Sequence, residues 1–303
     1  MIHRTIDRLL PVSSDQRMAI RLALEIVRRP STALRRVNGQ NLANFRRFRR
    51  EQFLCCVCGK RTTPLYDFPD LRLRHEHRIG VLRETLQCRA CGAPMRERSL
   101  AAALLAHLRQ ATGRELSSIA DLAVAGLGGL RLLNTDNFSS MTKLLRGVPG
   151  YVTCSYLPQR PWGEEIAPGY YNIDLQRIDL PDESFDLLLT SDVMEHVRDE
   201  QSAHREIWRV LKRGGSYLFN VPYEESSPGN IRLVDTSGAE DVYLCEPQLH
   251  GDPLSGGILA YRVFGRELIS QLESLGFSVT FTRLEQLEHL ILNGDVFVAR
   301  KQE

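Results

Sequence analysis

The sequence predicts an α/β fold: a mostly parallel seven-stranded sheet with helices on both faces, preceded by a small cysteine-rich module. Three observations predict it. Short apolar runs alternate with helical patterns from about residue 130 onward. Two matched Cys-x-x-Cys pairs lie upstream, at Cys55/Cys58 and Cys88/Cys91. The chain ends on a helix and two strand-like runs, the arrangement that commonly closes such a sheet.

The apolar runs fall at 130–134, 151–155, 170–173, 185–190, 215–221, 277–283 and 294–300. Helical spacing predicts helices over 97–111, 138–146, 199–212 and 265–275. In the helix at 199–212, Ala203, Ile207, Val210 and Leu211 share one face, and Gly214–Gly215 is expected to stop it. The chain divides into a basic head (1–52), the cysteine module (53–96) and a catalytic-sized domain (97–303). That domain carries an insertion at about 223–262.

The 303 residues are 43% hydrophobic and 25% charged, the composition of a globular chain. No run approaches the roughly 20 apolar residues of a membrane span, and the N-terminus does not read as a secretory signal. A cytoplasmic location is the expectation. Net charge is +2, but residues 1–50 hold twelve Arg and three acids, so 12 − 3 = +9, and the remainder carries 2 − 9 = −7. Helices are expected at 17–29, ended by Pro30, and at about 41–52, where Leu42, Phe45 and Phe48 oppose Arg46, Arg47, Arg49 and Arg50. This head either docks on the rest of the chain or meets an acidic membrane surface or RNA, with peripheral membrane attachment following from the former partner.

Each Cys-x-x-Cys places two thiols on one tight turn, and Gly59 and Gly92 follow the second Cys of each pair. Four thiolates in that arrangement suit tetrahedral zinc and leave no open position, so the metal is expected to be structural. Cys56 breaks the spacing and is set aside as a bystander. His75 and His77 are more simply surface residues than ligands.

The most informative stretch is LPDESFDLLLTSDVMEHV (180–197), then an amphipathic helix, then RVLKRGG and an apolar strand ending in Val221-Pro222. This order resembles the class I S-adenosylmethionine-dependent methyltransferases. In particular it resembles the large Rossmann-like group that includes ubiquinone and many natural-product O-methyltransferases, and the resemblance covers about 130–300. The cysteine pairs ahead of it resemble a bacterial subgroup with a zinc-binding segment.

The resemblance implies a cofactor site on the carboxyl rim of the sheet. The glycine-rich turn after the first strand is matched by Asn134 and Thr135, which hold no glycine; Gly126–Gly129 upstream is the alternative. Asn, Thr and Asp there substitute through αL geometry and side-chain bonds. Ser155 stands where the family has an acid for the ribose hydroxyls, with Tyr156 after it. Asp174 and Leu175 match the adenine contacts, and Ser191 and Asp192 match the end of the fourth strand. For a hydroxyl acceptor, His196 and His250 are candidate bases, with Asp252 as orienter. The implied reaction is O-methylation of a small molecule or glycan. RNA methylation, suggested by the basic head, and a binding protein that has lost catalysis, suggested by the missing glycine and acid, stay open beside it.

Overall fold

The computed structural model describes residues 39–67, 81–250 and 257–302. The expected helix at 17–29 and the residues His75, His77 and Asp252 lie outside them. The second basic helix, α1, is placed earlier than expected, at Gly39–Phe48.

The cysteine module follows. Strands β1 (Phe53–Leu54) and β2 (Arg61–Thr62) form one antiparallel pair; β3 (Pro64–Tyr66) and β4 (Leu86–Cys88) form another. A single turn of helix, α2 (Leu82–Thr85), precedes β4. Helix α3 runs from Met95 to Thr112 and ends on Gly113 in the left-handed conformation. A short helix the periodicity did not suggest, α4 (Ile119–Ala125), is capped by Ser118, whose side chain accepts from Asp121 N.

The sheet is then laid down as β5 (Leu132–Asn134), helix α5 (Ser140–Leu145), β6 (Tyr151–Ser155), β7 (Glu165–Ala167), β8 (Tyr170–Asn172) and β9 (Phe185–Ser191). Helix α6 (Glu200–Val210) and β10 (Leu211–Asn220) continue it. Six two-residue strands, β11 to β16, occupy the insertion: 231–232, 234–235, 242–243, 249–250, 258–259 and 262–263. Helix α7 (Glu267–Ser274), β17 (Phe277–Gln286) and β18 (Ile291–Lys301) close the chain.

The sheet has eight strands, one more than expected, in the order β17-β18-β10-β9-β5-β6-β8-β7. The extra strand, β7, is a short antiparallel partner on the edge of β8, formed around the turn before Tyr170. Polar neighbours hid it from the hydrophobic pattern. Strands β8, β6, β5, β9 and β10 are parallel; β18 is antiparallel to both β10 and β17. From β5 the chain steps outward to β6 and β8, then returns to place β9 against the other side of β5. The strand order therefore reverses between β5 and β9, and ligands in open α/β sheets bind beyond the carboxyl ends at such a point.

Alternation along each strand sorts the core into two layers. Leu132, Leu187, Leu189 and Leu218 pack with α3, α4, α5 and the cysteine module. Leu133, Leu188, Tyr217 and Phe219 pack with α6 and α7. Helices thus cover both faces, as β-strands buried on both sides require. The module shares its core with the sheet rather than standing apart from it.

Gly214–Gly215 does not end α6. That helix stops at Val210, and the glycines lie in an irregular start to β10, between the pairings Leu211–Phe185 and Ser216–Leu187. A side chain at Gly215 would come within 2.8 Å of Lys212 O and 3.0 Å of Asp186 O, so this strand entry needs the bare backbone.

No helix among the described residues is long and apolar enough to cross a membrane.

Candidate functional site at the carboxyl rim

Strands β5, β6, β8 and β9 bring Asn134, Ser155, Asp174 and Ser191 to one edge of the sheet. Gly126–Gly129 precede β5 and so lie at its opposite, amino end. The rim turn is therefore the glycine-free one. Its Asn134 is buried and turned inward: Nδ2 donates to Thr142 Oγ1 (3.1 Å) and Tyr151 Oη (3.0 Å), and Oδ1 accepts from Asp136 N (3.1 Å). Asn134 shapes the turn with its side chain, which leaves ligand contact to the residues after it. Thr135 follows, with its N–H on Leu189 O and a buried hydroxyl that has no hydrogen-bond partner. Such an unsatisfied group is uncommon in a folded core and is suited to a missing polar ligand.

Ser155 is buried at the end of β6, and Tyr156 after it is 54% exposed, its ring 5.2 Å from that of Trp162. Asp174 accepts from Gln176 N (2.9 Å) and Gln176 Nε2 (3.1 Å), which holds its carboxylate in a local turn; Leu175 beside it is buried. Burial and the nearby Asp174 charge raise the Tyr156 phenol.

At β9 the rim is occupied by side chains from the cysteine module. Arg96 Nη1 donates to Ser191 Oγ (2.7 Å), which in turn donates to Asn220 Oδ1 (2.9 Å). Asn220 Nδ2 returns to Arg96 O (3.0 Å). Asp192 pairs with Arg83 (2.8 Å) and Arg96 (3.4 Å), and Arg96 Nε also meets Glu84 (2.8 Å). Burial alone would raise the Asp192 carboxyl, but the two guanidiniums outweigh it and hold the group low. Asp192 itself sits at φ 49, a strained conformation for a residue with a side chain.

One turn later, the 3-10 helix Met194–His196 carries Glu195 and His196. The insertion returns to the same place. His196 Nδ1 lies 2.8 Å from Leu259 O, Tyr261 N donates to Glu195 O (2.8 Å), and His250 Nδ1 lies 3.2 Å from His196 Nε2. The two imidazoles expected from the sequence, 54 residues apart, are thus brought into contact, ring edge to ring face. Glu195 completes the group. It is fully buried, with Oε1 3.7 Å from both His196 Nε2 and His250 Nδ1, and neither of its oxygens accepts a hydrogen bond. Burial, then the charge of Asp192, pushes its carboxyl well above the usual range.

The four thiols Cys55, Cys58, Cys88 and Cys91 lie within 4.8 Å of one another. Cys55 Sγ to Cys91 Sγ is 3.8 Å and Cys58 Sγ to Cys88 Sγ is 3.9 Å. Sulfurs at about 2.3 Å from a tetrahedral ion stand about 3.8 Å apart, the spacing that these two pairs already show. Gly59 N donates to Cys55 O and Gly92 N to Cys88 O, both from positive φ (69° and 82°), which is why a glycine ends each turn. Cys56 points away, its thiol donating to Arg98 O. Arg98 is fully buried and donates to Leu86 O, Ala93 O, Leu290 O and His289 O, tying the cysteine turns to the closing β-hairpin.

Sequence reasoning missed Arg83, Glu84, Arg96 and Glu195. Glu195 stands inside the Glu-His-Val motif and was within reach. The others lie in the module assigned to metal, and only the tertiary fold carries them to the rim.

The family described as "Methyltransferase domain" matches residues 156–219, which span the rim from Tyr156 through the β9 motif to the end of β10. The match covers about a fifth of the chain and supports a methyltransferase enzyme. No curated protein matches the chain. Among solved structures, 1,6-didemethyltoxoflavin-N1-methyltransferase of Burkholderia thailandensis, solved with bound 1,6-didemethyltoxoflavin and S-adenosylhomocysteine, is 16% identical. It overlaps over 68% of this chain and 79% of its own, at a TM-score of 0.37. An S-adenosylmethionine-dependent methyltransferase of Mesorhizobium loti is 18% identical over 58% of this chain and 92% of its own, also at 0.37. Likeness at that level says nothing about substrate or site residues.

Proposed function

We propose that this protein is an S-adenosylmethionine-dependent methyltransferase that methylates a hydroxyl of a small molecule or glycan, with a structural zinc ion in its cysteine module. The single observation that carries the reading is the reversal of strand order between β5 and β9. The ends of β5 and β9 meet there, so Thr135, with its unpartnered hydroxyl, and Ser191 share one carboxyl rim, and β9 lies in the stretch that matches a methyltransferase domain.

The cofactor, when bound, supplies a methyl group on a sulfonium and needs from the protein mainly alignment. Thr135 offers a hydroxyl and Tyr156 an exposed ring to its adenosyl part; Asp174 offers a carboxylate beside Leu175. Ser155 is a weaker ribose partner than an acid. The Arg96–Ser191–Asn220 chain fixes the end of β9 against which the methionine part would lie. We assign His250, in contact with His196, as the base for an acceptor entering past the insertion, with Asp252 as its orienter. Zinc on Cys55, Cys58, Cys88 and Cys91 would hold the module that delivers Arg83 and Arg96; with all four positions filled by thiolate it takes no part in the chemistry. We assign the protein to the cytoplasm, with its Arg-rich head available to an acidic membrane surface or RNA.

Calorimetry with S-adenosylhomocysteine tests the reading. Wild type is expected to bind, and Asp174→Ala to bind at least roughly tenfold more weakly, the loss of one charged hydrogen bond. Absence of heat from the folded wild type removes the enzyme and leaves a binding scaffold.

A further inference from the structure

We propose that Glu195, His196 and His250 form a second metal site, distinct from the four-cysteine cage, that binds a divalent first-row transition ion with positions left open.

Three independent features carry this. First, the ligand atoms converge: His196 Nε2 and His250 Nδ1 are 3.2 Å apart, and each is 3.7 Å from Glu195 Oε1. An ion at about 2.1 Å from each ligand separates neighbouring ligands by about 3.0 Å in octahedral and about 3.4 Å in tetrahedral geometry. For tetrahedral geometry the two longer distances need to close, and the shortest to open, by only a few tenths of an ångström. Second, His196 Nδ1 is held 2.8 Å from Leu259 O. A carbonyl can only accept, so Nδ1 carries the proton and Nε2 presents its lone pair to the other two ligands. Metal-binding histidines are oriented in this way by a backbone carbonyl on the far nitrogen. Third, Glu195 is fully buried and both its oxygens lack hydrogen bonds. A buried carboxyl in that state either keeps its proton or meets a cation at close range, and a bound ion would displace that proton. Arg83 and Arg96 act on it only through space, and both are spent on Asp192 and Glu84.

Two imidazoles and one carboxylate favour zinc, iron, manganese or cobalt over magnesium or calcium. Three protein ligands leave room for outside oxygens, unlike the closed thiolate cage. The site stands one turn past the end of β9, and His250 comes from the insertion, so the ion would face whatever enters there. On the reading of the protein as a hydroxyl methyltransferase, the open positions take the acceptor hydroxyl. The ion would lower the pKa of that oxygen, whose proton would leave to water, and His250 would then serve as a ligand instead of the base assigned to it above.

The test is equilibrium dialysis of the full-length, zinc-loaded protein against micromolar cobalt(II), with visible spectra and metal content read together. One cobalt per chain is expected, with weak bands of an oxygen and nitrogen site and no sulfur-to-cobalt charge transfer. Glu195→Gln and His250→Ala should each weaken retention at least roughly tenfold, while zinc content stays at one per chain. His250 lies in the insertion, partly exposed, so its variant keeps the test valid should Glu195→Gln fail to fold. No cobalt on the wild type, or equal retention by folded variants, overturns the site. Cobalt retention without S-adenosylhomocysteine binding would keep the metal site and remove the methyltransferase reading; the reverse result would do the opposite.

Discussion

Arg96 Nη1 donates to Ser191 Oγ across 2.7 Å, joining the first turn of α3 to the last residue of β9. The same arginine faces Asp192 and Glu84. The cysteine module thus sets the conformation of the rim where the cofactor is proposed to lie. Arg96→Ala should leave Asp192 and Glu84 to Arg83 alone and free the β9 end, at a cost of about 2–3 kcal/mol in stability. Arg96→Lys keeps the charge but not the fork, and should recover part of the stability and little of the S-adenosylhomocysteine affinity. Denaturant unfolding alongside calorimetry separates the two. Unchanged affinity in folded Arg96→Ala would show that the rim does not depend on the module.

The thiolate cage makes a second prediction. Cys58→Ser or a strong chelator should release one zinc per chain and lower the melting temperature, because binding free energy at such a site is folding free energy. Release should also follow acidification, since protons compete with the ion for the thiolates. The change should reach the rim: through Arg98, which donates to Leu86 O and Ala93 O beside the cysteines, and through Arg96, cofactor affinity should fall with the zinc. Zinc content and S-adenosylhomocysteine heat, measured on the same samples, check this coupling.

Much of this was legible in the sequence, and what was not has identifiable causes. The cysteine cage and the two-layer sheet were readable because both rest on short spacings: three residues for each turn, two for each strand. His196 and His250 were singled out separately, yet nothing in the sequence says that a 54-residue excursion ends with their rings in contact. The sequence offers Asn134 as a cofactor-turn residue; it ends β5, and its amide donates inward to Thr142 and Tyr151, partners that no local spacing announces. Gly214–Gly215 reads as a helix stop, whereas close packing on Asp186 O explains it. Arg83 and Arg96 escaped notice because their partners lie about a hundred residues away.

Glu97 gives a prediction in pH. It is buried on α3, its Oε1 accepts from Met141 N (2.6 Å), and burial raises its carboxyl to about 7. An acid with a raised folded pKa binds its proton more tightly folded than unfolded. Its contribution to stability is therefore present below about pH 4.5 and is lost as pH rises toward about 7. Glu97→Gln keeps an acceptor for Met141 and removes the charge. Relative to wild type it should gain stability across that window, by about 2–3 kcal/mol at pH 8. Paired urea titrations at pH 5 and pH 8 check the difference; a gap that does not widen with pH would show that Glu97 is not the group responsible.

Ser155 offers a gain-of-function test of the cofactor crevice. It ends β6, buried at 7% exposure, one residue before the exposed Tyr156 ring. The class I methyltransferases it resembles carry an acid at this place for the ribose hydroxyls. A serine there makes a neutral hydrogen bond, and a carboxylate a charge-assisted one about twice as strong. Ser155→Asp should therefore tighten S-adenosylhomocysteine by about 1–2 kcal/mol, or roughly tenfold in Kd. It should leave affinity for a ribose-free fragment such as methionine unchanged. Asp174 lies close enough to act on Tyr156, so some repulsion opposes the gain; Asp174→Asn in the same background should restore it if repulsion dominates. If neither variant tightens binding, while both fold and the wild type still binds, the ribose does not lie against β6 and the cofactor must enter the rim in another orientation.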